Sequence, residues 1–406
     1  MVERMKVRTN DFVKDNIDVY KWLGSWPLSN QVSRHFERVR YVLGLIVIVV
    51  IVVFNVLQYL DLYYNWGDWF YVSENISVSF IFTVFLFKIY VFHSRREEIV
   101  KMTEEMDHYM EEIPSGENDI TLKLIEHYRD NIRNVKLYFG GTCVVVVVIL
   151  YTYPIVIFLL DSDKIGSQNL GIHVYCPFPL NDTGTYVSIT LLEIAIGWTM
   201  SLHTVNFDTF FFSCIIFTIG RFSILRHAIR TMTYSARNRM KLESNDNNFQ
   251  FIINEMLMKS VCEHQRIIQF SSWIDSILSQ IIFIKFFVYS VTICFTGMQV
   301  VMTGLSFKLL KLGAYLGAMM IQILLYYWYG NELMLESTKM SEGLYESEWY
   351  VFDKRNRQIL LGMIMRSQRP LYLTAGQFYN VTLETFLSFL GGSYSYFALI
   401  KQLYDS

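Results

Sequence analysis

Proline is scarce in this chain, with 6 among 406 residues, and charged side chains make up only 18%, against roughly 25% in ordinary soluble domains. This composition excludes a collagen-like chain and a solvated, disordered one. Five cysteines (Cys143, Cys176, Cys214, Cys262 and Cys294) are scattered without CxxC spacing. A disulfide-stapled scaffold is excluded, and a zinc or redox site is not expected. The 35 Lys and Arg against 37 Asp and Glu leave a net charge of −2, so no basic excess points to nucleic acid. There is no HExxH, GxSxG, Walker loop or GxGxxG, and hence no sign of an enzyme or of a cofactor site. Cys262-Glu263-His264 has metal-binding residue types, but three adjacent residues without a partner cluster read as a solvated helix.

What the chain does have is apolar length. Hydrophobic residues reach 52% and aromatics 16%, with a mean hydropathy of +0.28. They lie in runs too long for a soluble core. A bilayer core about 30 Å thick takes roughly 20 apolar helical residues, and seven runs qualify. They are Tyr41 to Leu60, Tyr71 to Phe92, Leu137 to Leu160, a run from Tyr186, Ile277 to Met302, Leu312 to about Trp328, and about Leu371 to Leu403. The β-branched stretch Val144 to Val148 would suit a strand in water. In lipid a lone strand leaves its backbone unsatisfied, so a helix is expected. The first run follows 40 largely polar residues and has no small-residue cleavage site after it, unlike a signal peptide.

Cations fix the orientation. The N-terminal 40 residues and the segments 93–136, 221–276 and 337–369 hold 29 Lys and Arg, whereas the alternate segments hold 4. The positive-inside rule then places the N-terminus in the cytoplasm and the C-terminus outside. The expected fold is an all-α polytopic membrane protein with seven transmembrane helices, inverted relative to receptors that couple to G proteins. Its parts are a cytoplasmic N-terminal segment (1–40), spans one to four with an outer-half ligand pocket (41–220), a cytoplasmic loop with helix extensions (221–276), spans five and six (277–336), a cytoplasmic anchor segment (337–369) and a pore-lining last span (370–406). Asn181-Asp182-Thr183 is a glycosylation sequon in the third loop, on the outer face.

The fourth run does not stop at the inner boundary but stays apolar to about Phe222, some 37 residues or about 55 Å. Apolar surface in water must be covered. Either a packed cytoplasmic bundle surrounds this extension, together with those of spans five and six and the segment before seven, or the helix is long and mobile. Ionisable residues within spans are functional candidates. Lys88 and Lys285 lie near the inner surface and are expected to snorkel. Glu74 lies near the outer surface and is expected to be wet. Glu193 either lines a cavity or is partially solvated.

The outer half is rich in aromatics and methionine, which suit an adaptable apolar pocket for a small neutral ligand. Candidate lining residues are Tyr71, Ser77 and Phe80 on span two, Val147, Tyr151 and Phe158 on span three, Ile196 and Met200 on span four, and Met319, Met320 and Ile323 on span six. Ordinary helix packing is the competing explanation for each. The last run carries Gln377, Asn380, Thr382, Glu384, Thr385, Ser388 and Ser393. On one helix Gln377, Glu384 and Ser388 share a face, either lining a water-filled axis or buried in a monomeric bundle. The outer end, Phe397 to Ile400, is apolar again, as a dewetting gate would be.

PLYLTAGQFYNVTLETF followed by SYSYFALIKQ (Pro370 to Gln402) resembles the C-terminal motif of insect odorant receptors. The inverted topology, the length and the elongated fourth span agree with that family. The resemblance implies a ligand-gated non-selective cation channel of four subunits around one pore, in the plasma membrane of olfactory sensory neurons. It implies a hydrophobic volatile bound among spans two to six, membrane lipid around the bundle, and an anchor formed by the cytoplasmic helices. It places the gate at Leu399, with Ala398 and Ile400 as neighbouring registers, and a polar pore-mouth residue at Gln402. The short loop between spans four and five departs from the family's shared co-receptor. This implies an odour-tuning subunit that assembles with the co-receptor in a heterotetramer. Gustatory receptors carry a TY-then-QF pattern in the last helix, which this chain lacks. That sister group remains an alternative, as does a metabotropic seven-helix receptor. A secondary transporter should show an internal repeat with paired broken helices, and none is seen.

Overall fold

The computed structural model describes residues 12–26, 34–67, 69–113, 119–160, 171–176, 183–243, 249–302 and 307–405. Asn181 lies outside them. Among the described residues eleven α-helices follow in chain order: α1 (Lys14–Trp22), α2 (Arg34–Tyr64), α3 (Trp69–Ser94), α4 (Arg96–Glu112), α5 (Asp119–Leu160), α6 (Thr183–Arg230), α7 (Met232–Glu243), α8 (Phe249–Met302), α9 (Phe307–Tyr345), α10 (Lys354–Ser367) and α11 (Leu383–Asp405). A two-stranded hairpin, β1 (Thr374–Ala375) with β2 (Tyr379–Asn380), precedes α11. Among the described residues α2, α3, α5, α6, α8 and α9 are long and apolar enough to cross a bilayer. The seventh long helix of the bundle, α11, is the one that carries Glu384 and Ser388 among its apolar residues. Val144 to Val148 are helical, as the backbone's need for internal hydrogen bonds in lipid requires.

Helix α6 is the axis of the molecule. From Asn206 to Ser223 every residue is buried, whichever side of the helix it occupies. A stretch that is apolar on nearly every side is buried, in protein or in a membrane, and here α5, α8, α9 and α1 enclose it. Phe212 packs on Tyr326 of α9 at 4.7 Å and on Phe139 of α5 at 5.9 Å, while Phe217 meets Phe270 of α8 at 5.8 Å and Phe12 at 5.4 Å. The apolar extension therefore belongs to a packed inner bundle rather than a mobile helix. Helix α1 completes the wall. Asn16 donates to Asn206 at 3.0 Å and to Thr209 at 2.8 Å, both on α6.

Charge closes the bundle lower down. The buried Arg221 guanidinium pairs with Glu263 at 2.8 Å and Glu105 at 3.3 Å, and lies 4.5 Å from the centre of the Tyr109 ring. Glu263 is thus an ion-pair partner, and no metal-ligating cluster occurs among the described residues. Arg226 pairs with Glu336 at 2.9 Å and Arg230 with Glu346 at 2.7 Å, tying α6 to α9 and to the residue just after it. The carboxylate of Asp353 caps α10 by accepting from the Asn356 N–H at 2.8 Å.

The last span is shorter than the sequence implies. Residues 371–382 are not helical, because Gly376 and Gln377 both adopt left-handed backbone angles, with φ of +60° and +63°. The chain turns back on itself there, and the hairpin is pinned to α8. Asp275 accepts from the Thr374 N–H at 2.6 Å, and the Gly376 N–H donates to the Ser279 carbonyl at 2.9 Å. Gln377 therefore does not share a helix face with Glu384 and Ser388. Thr374, Gln377 and Asn380 are hairpin residues.

Neither Lys88 nor Lys285 snorkels. Both are buried, at 3% and 1% exposure, and both reach Asp208, which is wholly buried on α6. Lys88 donates to the two carboxylate oxygens at 2.8 and 3.0 Å, and Lys285 to one of them at 3.1 Å. Tyr326 donates to the same carboxylate at 2.6 Å, and Gln322 also bonds it. One carboxylate thus joins α3, α6, α8 and α9. The acidic group on the bundle axis supplies the countercharge for both ammonium groups. Within a bundle such charges pair with one another.

Candidate functional site: an outer chamber above a buried charge knot

Above Asp208 the packing opens. A chamber of about 210 Å³ lies among α3, α5, α6, α8 and α9. Its apolar wall comes from Val78, Ile81 and Phe82 of α3, Val147 and Leu150 of α5, and Met200 of α6. A smaller hollow of about 150 Å³ continues below it. The two share Ile81, Cys143, Val147, Leu150, Ser201, Thr204 and Tyr315. Lys88, Tyr289 and Gln322 line the lower one, so its floor is the charge knot.

Residues 171–176 roof the chamber. The Tyr175 N–H donates to the Leu57 carbonyl of α2 at 3.2 Å, and Lys311 of α9 donates to the Gly171 carbonyl at 3.1 Å. Glu74 of α3 holds the roof from below, 3.4 Å from His173 and 3.6 Å from Lys311. Glu74 is thus enclosed and ion-paired rather than wet. Glu193, on α6, is wholly buried rather than partially solvated. Its carboxylate lies near the backbone N–H groups of Gly171 and Ile172, yet neither oxygen has a hydrogen-bond partner among the described residues. On the α8 side Gln299 donates to Ser73 at 2.9 Å, and Tyr315 donates to the Ser77 carbonyl at 2.8 Å. Glu74, Lys311, Gln299 and Tyr315 are therefore paired, whereas the Glu193 carboxylate and the His173 Nδ1 are not hydrogen-bonded among the described residues.

Glycine makes room at one point. A Cβ on Gly197 would fall 1.9 Å from the Tyr151 hydroxyl, so the α6 backbone is notched where the tyrosine ring enters.

Of the residues singled out from sequence, Ser77, Val147, Tyr151 and Met200 line the chamber and Met319 lines the lower hollow. Ile196 is buried in the outer apolar cluster behind the wall, and Phe80, Met320 and Ile323 pack into the main core. Tyr71 sits by the roof, donating to Asp61 at 2.7 Å with its ring 4.3 Å from that of His173. The side chain of Phe158 is outside the described residues. The sequence reading missed Glu74, His173, Thr296, Gln299, Lys311 and Tyr315 as lining residues. Thr296 and Gln299 carry a usable signal, two polar residues three apart within an apolar span. His173 and Lys311 carry none, since both read as loop residues.

Helix α11 packs by one face only. Phe386 meets Tyr327 at 5.5 Å, Phe389 meets Phe286 at 4.9 Å, and Ser393 lies 3.3 Å from Ser290 of α8. The opposite face is left uncovered, and along it run Glu384, Ser388, Gly391, Ser395, Leu399 and Gln402. The spacing of threes and fours keeps them on one strip of the helix.

The pattern of the 7tm odorant receptor family matches residues 71–394. The chain is 23% identical to odorant receptor Or2 of Anopheles gambiae, with 90% of this chain and 93% of that one covered. It is 24% identical to odorant receptor 10 of Aedes albopictus, covering 94% and 96%. Its fold matches the solved structure of the insect olfactory receptor OR5 from Machilis hrabei in complex with eugenol, with a TM-score of 0.83, 16% identity and coverage of 98% and 99%. A second structure of the same receptor gives a TM-score of 0.82, with 16% identity and coverage of 97% and 98%. The 7tm odorant receptor pattern spans most of the chain, from the second transmembrane helix into the last, and so the protein belongs to the insect odorant receptor family, a receptor rather than an enzyme.

Proposed function

We propose that the chain is an odour-tuning subunit of a ligand-gated, non-selective cation channel, assembled with the odorant co-receptor as a heterotetramer. It acts in the plasma membrane of olfactory sensory neurons. The observation that carries this reading is the roofed, largely apolar chamber of about 210 Å³ in the outer half. A small hydrophobic volatile fits it by size and chemistry, held by apolar burial at about 25 cal/mol per Å². Eugenol bound to a receptor of the same fold supports the assignment. Ligand that prefers the open state shifts the equilibrium by its difference in affinity for the two states. Movement in the chamber reaches the pore through α8, which carries Lys285 at the chamber's base and Ser290 and Cys294 against α11. The uncovered strip of α11 lines the pore, with Glu384 and Ser388 in its wide part, Leu399 as gate and Gln402 at its mouth.

Whole-cell recording with a panel of volatile esters, terpenes and aromatics tests this, with and without the co-receptor. Current that needs both subunits and a volatile is the expected result. Current from this chain alone would replace the heterotetramer by a homomeric channel. Volatile-evoked signals that need nucleotide and vanish in excised patches would favour the metabotropic alternative.

A further inference from the structure

At the top of the chamber Glu74, Lys311, Gln299 and Tyr315 are each bonded to a neighbour, but hydroxyls on the seam of α5 and α6 are not. On α6 the hydroxyls of Ser188, Thr199, Thr209, Ser213 and Thr218 each donate to the carbonyl four residues earlier. That is how hydroxyls are normally satisfied within a membrane helix. Ser201 and Thr204 of the same helix make no hydrogen bond among the described residues. Both line the chamber and the hollow beneath it. The Tyr151 hydroxyl, buried at 7% exposure and lodged against Gly197, is likewise without a partner there. Tyr151, Gly197, Ser201 and Thr204 thus form a stripe of open hydrogen-bonding capacity down an otherwise apolar wall.

We propose that this stripe is a specificity site for the oxygen of the ligand, and that the receptor selects small volatile alcohols and phenols over hydrocarbons of the same shape. The proposal rests on the chamber being the volatile-binding site. Ser201 and Thr204, half-buried, and Tyr151 bring three hydroxyls without a hydrogen-bond partner among the described residues to an otherwise apolar wall, where a bound ligand would cut them off from water. A ligand hydroxyl both donates and accepts, and so satisfies either role that Ser201 and Thr204 offer. A hydrocarbon leaves them unpaired. Sites built to bond a hydroxyl discriminate against the analogue lacking it more strongly than apolar pockets discriminate by size. Each hydrogen bond is worth roughly 2- to 10-fold in affinity.

The experiment compares concentration–response curves for volatile alcohols and phenols with those for hydrocarbons in which methyl replaces hydroxyl. Each is recorded from the chain co-expressed with the co-receptor. The ratio of half-maximal concentrations is read within one variant, so expression level cancels. The wild type is expected to favour the hydroxylated member about 10-fold or more. Ser201→Ala with Thr204→Val is expected to bring the ratio within about 3-fold, and Tyr151→Phe to narrow it less. Equal potency of both classes in the wild type would overturn the proposal, as would an unchanged ratio in the double variant. Val147→Trp, which fills the chamber, separates the two levels of inference. Responses that persist unaltered in it overturn the chamber reading and this proposal together. Responses lost in it, alongside an unchanged ratio in the double variant, overturn the hydroxyl stripe alone.

Discussion

The two ends of α6 are made of similar residues and live in different surroundings. Below Asp208, phenylalanines and isoleucines touch neighbours on every side, and the hollow beside Phe217 is only about 10 Å³. Above it, Gly197, Met200, Ser201 and Thr204 face an opening. Dense packing makes an interior respond as a unit, whereas a hollow wall lets a bound molecule alter one contact at a time. The comparison teaches that rigidity and recognition are divided along a single helix, with a buried carboxylate marking the border.

That division is tested hardest at the border. Asp208→Asn leaves two buried lysines without a countercharge, and breaking a buried pair costs about 3–5 kcal/mol. Lys285→Met leaves Asp208 with Lys88, Tyr326 and Gln322 and is expected to cost less. Thermal unfolding of the detergent-purified protein checks the order, and a larger loss for Lys285→Met would show that the carboxylate is not the hub. The inner half comes next. Phe211, fully buried, is expected to cost about 3 kcal/mol or more as alanine. Val147→Ala in the chamber wall should change ligand potency more than unfolding temperature. Equal unfolding losses at the two sites would erase the distinction between the halves.

Smaller effects sharpen the comparison within the outer half. Gly197→Ala drives a methyl into the Tyr151 hydroxyl, and is expected to shift ligand potency about 10-fold, within the range a single pocket contact commands. Tyr151→Ala added to it should restore part of the loss; recordings that show no recovery would place the strain elsewhere. A smaller effect concerns the hairpin. Gly376→Ala is expected to destabilise by about 1 kcal/mol, since its φ is +60° and the Phe283 ring is 2.9 Å from the added carbon. Gly391→Ala on α11 meets nothing within 4 Å and should leave the unfolding temperature unchanged.

The helices were legible because hydrophobic length and period are local properties. The runs that begin at Tyr41, Tyr71 and Ile277 are all helical, within α2, α3 and α8. The apolar continuation past Asp208 announced the inner bundle for the same reason. The hairpin was not legible, because LYLTAGQFYNVT is apolar enough to pass for the start of a span. Its turn is held by Asp275 and Ser279, about a hundred residues away. The chamber was half legible. Val147, Tyr151 and Met200 follow from helix faces. His173 and Lys311 reach the chamber only because a loop folds over it.

Sequence by itself determined where the long apolar helices lie, since backbone groups in lipid must bond within their own segment, and the spread of cations set the orientation to be expected of them. The tertiary structure alone decided which side chains meet. Lys88, Asp208 and Lys285 are separated by 120 and 77 residues along the chain. No local pattern records that they converge, and it is their convergence that keeps two lysines inside the bundle instead of at its surface.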